Sequence, residues 1–346
     1  MASSRIQPIS FRAVMAALAG VVGLAPAALA LDTGRPGPIR VNQLGYLADG
    51  PKRATLVSDA EQPVEWRLVD ADGKDIAAGK SQPLGLDRAS GLKVHAIDFS
   101  GVSVEGKNYR LDIGGEESFP FAIADNLYGA LRTDAMSYFY PVRSGVEIDG
   151  GIVGEGYSRP AGHAGVPPNK GDTEVPCLDM ATARKIFGEP ITCDYRLDVS
   201  GGWYDAGDFG KYVVNGGIAV AQMMGAYERS LNAEAADAET TGDGLLRIPE
   251  ARNGLPDILD EARWELDFLI SMMVPDGEPL AGMVHHKVHG ENWLPGPMRP
   301  DRDPEQRVLY PPSTAATLNL AAVAAQGARP FAPYDADYAD GLLQVA

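Results

Sequence analysis

The 346-residue sequence is 45% hydrophobic and 22% charged, an ordinary globular composition with enough length for two domains. Its 47 acidic and 30 basic side chains give a formal net charge of -17. With no Lys/Arg-rich run to interrupt it, that balance argues against nucleic acid and anionic membranes as partners.

Arg5 and Arg12 precede an apolar stretch over 13–29, and Ala28-Leu29-Ala30 places small residues where a signal peptidase reads. The pattern predicts a secretory signal over 1–30, cleaved before Leu31, and an exported, extracellular or periplasmic protein. Gly20, Gly23 and Pro26 interrupt the stretch and argue against a membrane anchor. No later segment is apolar enough to cross a bilayer, so no membrane partner is expected after cleavage.

Past a Gly/Pro linker, TGRPGP, short alternating runs (IRVNQLGY, KRATLVS, VEWRLVD, KVHAIDF, NYRLDI, SFPFAIA) predict six or seven antiparallel strands over 38–124. Asp72-Gly73 is a hairpin signal. That many strands in under 90 residues suggest a β-sandwich of immunoglobulin-like type.

From about residue 126 the period becomes helical. LYGALRTDAMSYFY sets Leu127, Ala130, Leu131, Ala135 and Tyr138 on one face. A second helix is expected over 216–230. A third has Asn253 as cap, Pro256 in the first turn, and a stripe of Leu255, Ile258, Leu259, Ala262, Leu266, Leu269 and Met273. A fourth follows Pro311-Pro312, and Asp335 starts a fifth. Two loops rich in Gly, Pro and aromatics, about 143–215 and 275–312, are long enough to be functional and to wall a cleft. The acidic run NAEAADAETTGDG reads as a solvated loop.

The densest chemistry lies in DVSGGWYDAGDFGKYVVNGG. Asp205 and Asp208 sit three apart in Asp-Ala-Gly-Asp, where small residues let the chain turn sharply. Trp203, Tyr204, Phe209 and Tyr212 surround them, and exposed rings on a loop suit a sugar that stacks. Two carboxylates on one tight turn are too close to be the opposed pair of an inverting glycosidase, which stand roughly 6.5–9.5 Å apart. They suit the water-activating side together, one taking the proton and one orienting the water. A cation loop or a plain turn is the alternative, although the calcium-hand spacing is missing. Asp172, Glu174 and Asp179 would permit a structural calcium, with spacing too loose to argue for one.

SGGWYDAGDFGKYVVNGGIAVAQMMGAYE and RIPEARNGLPDILDEARWELDFLISM resemble the catalytic signature and following segment of glycoside hydrolase family 9, the inverting cellulases. VNQLGY (41–46) resembles the opening of the immunoglobulin-like domain that precedes the catalytic module in one branch of that family. The resemblance implies a multidomain β + α chain, an N-terminal Ig-like β-sandwich followed over 126–346 by the first part of an (α/α)6 barrel. It implies a β-1,4-glucan polysaccharide as substrate, no required cofactor, Asp208 as general base and Asp205 as its partner. The family's general acid is a glutamate far downstream, so the sequence is expected to be a C-terminally truncated fragment, inactive alone. Glucosamine oligomers or mixed-linkage glucan are alternative substrates, and a non-catalytic carbohydrate-binding protein is the alternative if the truncation is natural.

Some Ig-bearing members hold a structural zinc near this loop through two Cys and two His. Cys177 and Cys193 are the only cysteines, and His163 could add one ligand. Position 194, where the resemblance asks for a His, is Asp, which leaves a closed zinc site short. A disulfide is the better reading for an exported chain. In GMVHHKVHGENW, His285 and His286 would point to opposite sides of a strand. One of them, His286, is expected at the cleft with Trp293 and Tyr310 as stacking companions, the other histidines lying at the surface. Arg143 either buttresses the cleft or only packs.

Overall fold

A computed structural model describes residues 37–232, 241–294 and 296–346. The expected signal segment and most of the acidic run lie outside them. The chain divides into two compact units at Leu127/Tyr128.

The first unit is a two-sheet sandwich. One sheet has the order β1 (Ile39–Arg40), β2 (Arg53–Val57), β6 (Leu92–Asp98), β5 (Gln82–Asp87). The other runs β4 (Asp75–Lys80), β3 (Glu65–Val69), β7 (Gly106–Ile113), β8 (Glu116–Glu117), with β9 (Phe121–Ile123) also on β7. Alternation explains the core: Leu56, Ile97, Leu68, Leu111 and Ile123 are buried from both sheets. The Asp72-Gly73 hairpin is present, with Gly73 at φ +78° between β3 and β4. Strand β4 was implied only by that hairpin and β5 was not expected, because DIAAGK and QPLGLD are small or polar and mostly exposed, leaving no apolar alternation to read. In VNQLGY, Tyr46 is buried, donates from its hydroxyl to the Arg53 carbonyl at 2.8 Å, and joins the Ala122 carbonyl through its own N–H.

The second unit is mainly helical, with α1 (Gly129–Met136), α2 (Gly150–Val153), α3 (Met180–Phe187), α4 (Val213–Asn232), α5 (Asp257–Ser271), α6 (Thr314–Phe331) and α7 (Ala336–Val345). Helix α4 packs on α5 and α6, and α6 on α7, around a core of Val220, Met224, Leu259, Ala262, Leu266, Leu320 and Phe331. These helices form no closed barrel among the described residues. Expectation and structure agree on the stripe of α5 from Leu255 to Leu269. Ser313 and Asp335 cap α6 and α7 through their side chains.

Three expectations need correcting. The face predicted for α1 is not buried: Leu131 and Tyr138 are 47% and 59% exposed. The helix ends at Met136, and the chain turns into a 3-10 segment at Tyr140–Val142, which sends Met136, Phe139 and Tyr140 inward instead. Asn253 does not cap α5. It forms a local turn with Leu255 N–H and donates to Asp260, while Pro256 takes the cap position. The two long loops are not structureless either. The first holds α2, α3 and β10 (Val175–Pro176) paired with β11 (Arg196–Leu197). It also supplies β12 (Lys211–Tyr212), which joins β13 (Lys287–Gly290) and β14 (Arg307–Leu309) of the second loop in a three-stranded antiparallel sheet.

Candidate active site

That small sheet is what positions the Asp205–Asp208 turn. The turn closes through Asp205 N–H to the Gly210 carbonyl (2.9 Å) and Phe209 N–H to the Ala206 carbonyl (3.0 Å), with Phe209 at φ +56°. The chain then enters β12, whose Tyr212 pairs with Lys287 across to β13. A Cβ at Gly210 would lie 2.5 Å from the Tyr212 ring and 2.8 Å from the His289 ring. Only glycine there lets both rings reach the turn.

Asp208 is the enclosed member of the pair, with a side chain 15% exposed. Its Oδ2 accepts from His289 Nε2 at 2.8 Å and from the Tyr212 hydroxyl at 3.3 Å, while Oδ1 is buried without a partner among the described residues. Burial alone would raise this carboxyl, but the bond and charge of His289, helped by Tyr212, hold it below the usual aspartate range. Asp205 is exposed, and its Oδ1 accepts from Asn215 Nδ2 (2.8 Å) in the first turn of α4. Burial, then the charges of Asp208 and Asp205, push the Tyr212 phenol up, so it stays a donor.

The second loop brings the companions. Lys287 Nζ is 3.2 Å from the Tyr212 hydroxyl and lies over the rings of Tyr310 (4.3 Å), Tyr212 (4.6 Å) and Trp293 (5.7 Å). Burial lowers this lysine, against the opposing pull of Asp208 and Asp205. Trp293 is 69% exposed and free to offer a face. Tyr310 is half-buried, and His286 stands edge-on to Tyr212 at 6.3 Å. Burial and then Lys287 lower the His286 imidazole, which favours the neutral ring.

Trp203 and Tyr204 sit differently from the exposed platform expected of them. They are 6% and 7% exposed, and Phe209 is likewise buried. Trp203 packs on Phe139 at 4.5 Å between ring centroids, and donates from its backbone to Glu265 and from Nε1 to Glu261, both at 2.7 Å. Both still contribute to a cavity of about 140 Å³ lined also by Tyr138, Phe139, Asp205, Tyr212, Asn215 and Glu265. The Tyr204 hydroxyl bonds His163 Nδ1 at 2.7 Å.

His285 and His286 do part to opposite sides, yet His285 and His289 are buried, not at the surface. His285 lies between the Tyr195 hydroxyl (2.8 Å) and the Tyr310 carbonyl (2.7 Å). The His289 role was missed because its partner Asp208 is 81 residues away in sequence. Arg143 is 2% exposed, forks onto Glu261 and Glu250, and stacks 4.6 Å from the Trp264 ring.

The structure does not fit a zinc site. Cys177 and Cys193 form a disulfide with Cα atoms 5.5 Å apart, and His163 spends both nitrogens on Tyr204 and Asp303. The calcium reading fails on placement. Asp172 is clamped between Lys211 and Arg307 at 2.8 Å each, and Asp179 caps α3. Among the described residues, no three His, Cys, Asp or Glu side chains gather as a ligand set.

Residues 128–346 match the family described as Glycosyl hydrolase family 9, and residues 35–118 match the Cellulase N-terminal ig-like domain. Endoglucanase C of Cellulomonas fimi is 58% identical over 308 residues, which is 89% of this chain and 27% of that protein. A cellulose 1,4-beta-cellobiosidase of Acetivibrio thermocellus is 46% identical over 316 residues, 89% of this chain and 35% of that one. Among solved structures, a metagenome-derived glycoside hydrolase family 9 endoglucanase superposes with a TM-score of 0.72 at 34% identity, over 89% of this chain and 52% of that one. The chain thus spans about a quarter to a third of the curated relatives cited.

Proposed function

The chain belongs to glycosyl hydrolase family 9, and from that membership we propose that it serves an exported, inverting β-1,4-glucan hydrolase of the endoglucanase type. Asp208 takes the proton of the attacking water, and Asp205 orients that water. The carrying observation is the asymmetry of the pair. Asp208 is held ionised through Oδ2 by His289 and Tyr212, its Oδ1 buried without a partner among the described residues, whereas Asp205 is exposed and turned onto Asn215.

A base of this kind needs its carboxylate form at working pH and a fixed direction of approach, and the hydrogen bonds to Oδ2 supply both. Trp293 and Tyr310 offer ring faces to glucosyl units, and the neutral His286 is free to bond a sugar hydroxyl. Trp203 and Tyr204 line the cavity beside Asp205. The opposing acid lies outside the turn, and by the family resemblance it is a glutamate further along the chain. No organic cofactor enters this chemistry. The disulfide accords with an oxidising compartment, and no helix among the described residues is long and apolar enough to cross a membrane.

The test is Asp208→Asn in the full-length protein, assayed on soluble cellulose with circular dichroism as the folding control. The expected loss is about 10²–10⁴-fold in kcat, the range for a removed general base. A folded variant with near-wild-type turnover would sink the assignment.

A further inference from the structure

The cavity of about 140 Å³ beside Asp205 ends in a buried polar group that the scheme above leaves unused. Exposed Asp205 and Asn215 stand at its mouth, and buried Trp203 and Glu265 at its floor. Glu265 is 1% exposed, and its Oε2 accepts the Trp203 N–H at 2.7 Å. Its Oε1 lies against Gly216, which also lines the cavity, and has no hydrogen-bond partner among the described residues. A buried carboxyl oxygen needs such a partner.

Burial, only partly offset by the Trp203 bond and the Lys211 charge, pushes this carboxyl up to about 8, so it holds its proton at neutral pH. With Oε2 accepting, the hydrogen falls on Oε1, and the floor presents a donor. The mouth presents an acceptor. Asp205 Oδ1 is fixed by Asn215 Nδ2 at 2.8 Å, and its Oδ2 takes no bond among the described residues. The two carboxyls stand close enough for the Asp205 charge to help raise Glu265. A water takes about 30 Å³ of liquid and wants two to four polar partners. The cavity therefore has room for several in a string, with a donor at one end, an acceptor at the other and the rings of Tyr138, Phe139 and Trp203 along the sides.

We propose that this cavity is a water site of the enzyme: it holds an ordered string of waters between Glu265 and Asp205, from which the attacking water is replaced after each cleavage. The proposal rests on Asp205 orienting that water. Hydrolysis consumes one water per bond broken, its oxygen passing to the anomeric carbon and one of its protons to the base. A glucan chain stacked on Trp293 and Tyr310 covers the turn from the solvent side, whereas the cavity reaches Asp205 from the protein side. The string thus refills the site while the polymer stays in place.

Ala219, on α4 in the cavity wall, can be enlarged to fill the space while both carboxyls stay. In the full-length protein on soluble cellulose, Ala219→Leu is expected to lower kcat by about 10–100-fold, the scale of a misplaced reactant, with KM within about threefold. Circular dichroism controls for folding. A second measurement leaves the cavity unmutated: a crystal structure of full-length Asp208→Asn with a cello-oligosaccharide bound. Ordered waters are expected to run from Glu265 Oε1 to Asp205, the last of them beneath the anomeric carbon. A cavity filled by sugar or holding no ordered water overturns the proposal, as does a folded Ala219→Leu with near-wild-type kcat. If Ala219→Leu does not fold, the crystal structure decides alone. Waters in the cavity with none joining Asp205 to the anomeric carbon would overturn the reading of Asp205 and this proposal with it. A water on Asp205 at that carbon above a dry cavity would overturn this proposal only.

Discussion

Glu265 shows how one side chain behind the cleft can make stability depend on pH. It is 1% exposed, accepts the Trp203 N–H, and lies so close to α4 that any side chain at Gly216 would collide with it. Burial, only partly offset by the Trp203 bond and the Lys211 charge, pushes its carboxyl up from 4.5 to about 8. The folded chain thus keeps a proton that the unfolded chain has released. The associated stability is fully present below about pH 4.5 and is lost as pH rises through about 8. Glu265→Gln keeps an acceptor for Trp203 and has nothing to lose. Its Tm relative to wild type should climb between pH 5 and 9, and an offset constant across that range would refute the assignment. Such a residue is hard to read in sequence. Asp205 and Asp208 announce themselves by spacing within one turn, whereas Glu265 and His289 matter through partners 62 and 81 residues away.

At the scale of elements, α5 ties the helical core to the turn. Glu261 and Glu265, one helical turn apart, both face Trp203, and Glu261 also takes Arg143 in a bidentate pair with both side chains at most 2% exposed. Breaking a buried pair strands a charge, at a cost of about 3–5 kcal/mol. Arg143→Met should therefore lose about that much in urea unfolding, since Glu261 has no water to turn to. Adding Glu261→Gln, which removes the stranded charge and can still accept from Trp203, should restore part of the loss. A double variant less stable than Arg143→Met would show that the charge is not the cause. The apolar stripe of α5 was legible because its period is regular. Its buried Asp257, Asp260, Glu261 and Glu265 were not, because carboxylates on a helix read as the solvent face. Helix α3 did carry a readable signature, Asp179 as cap, Gly188 at φ +79° as stop and Met180, Ala183, Ile186 and Phe187 at helical spacing, but it is only 8 residues long and lies inside a Gly/Pro-rich stretch that reads as loop. Strand β13 was legible only in part: the histidine pair read as neighbours on an extended strand, but all four residues of KVHG are buried, two of them basic, so no alternation marks its bounds.

At the scale of the whole molecule, the sandwich and the helical unit draw on separate cores. Every member of the sandwich cluster falls between Ile39 and Ile123, and both sheets contribute. A unit of about 90 residues with one such core is within the range that folds alone. Residues 37–127 produced by themselves should therefore unfold cooperatively in urea. Trp66 is a built-in reporter, being 5% exposed and seated on Gly79, where a Cβ would come within 2.6 Å of the ring. Its emission should shift to the red in one step that coincides with the loss of β-sheet circular dichroism. Leu68→Ala, at a position 0% exposed, should move that step to lower urea by about 2–5 kcal/mol of stability, the cost of a large-to-small change in a packed core. Two non-coincident transitions, or none, would mean that the sandwich needs the rest of the chain to hold its two sheets together.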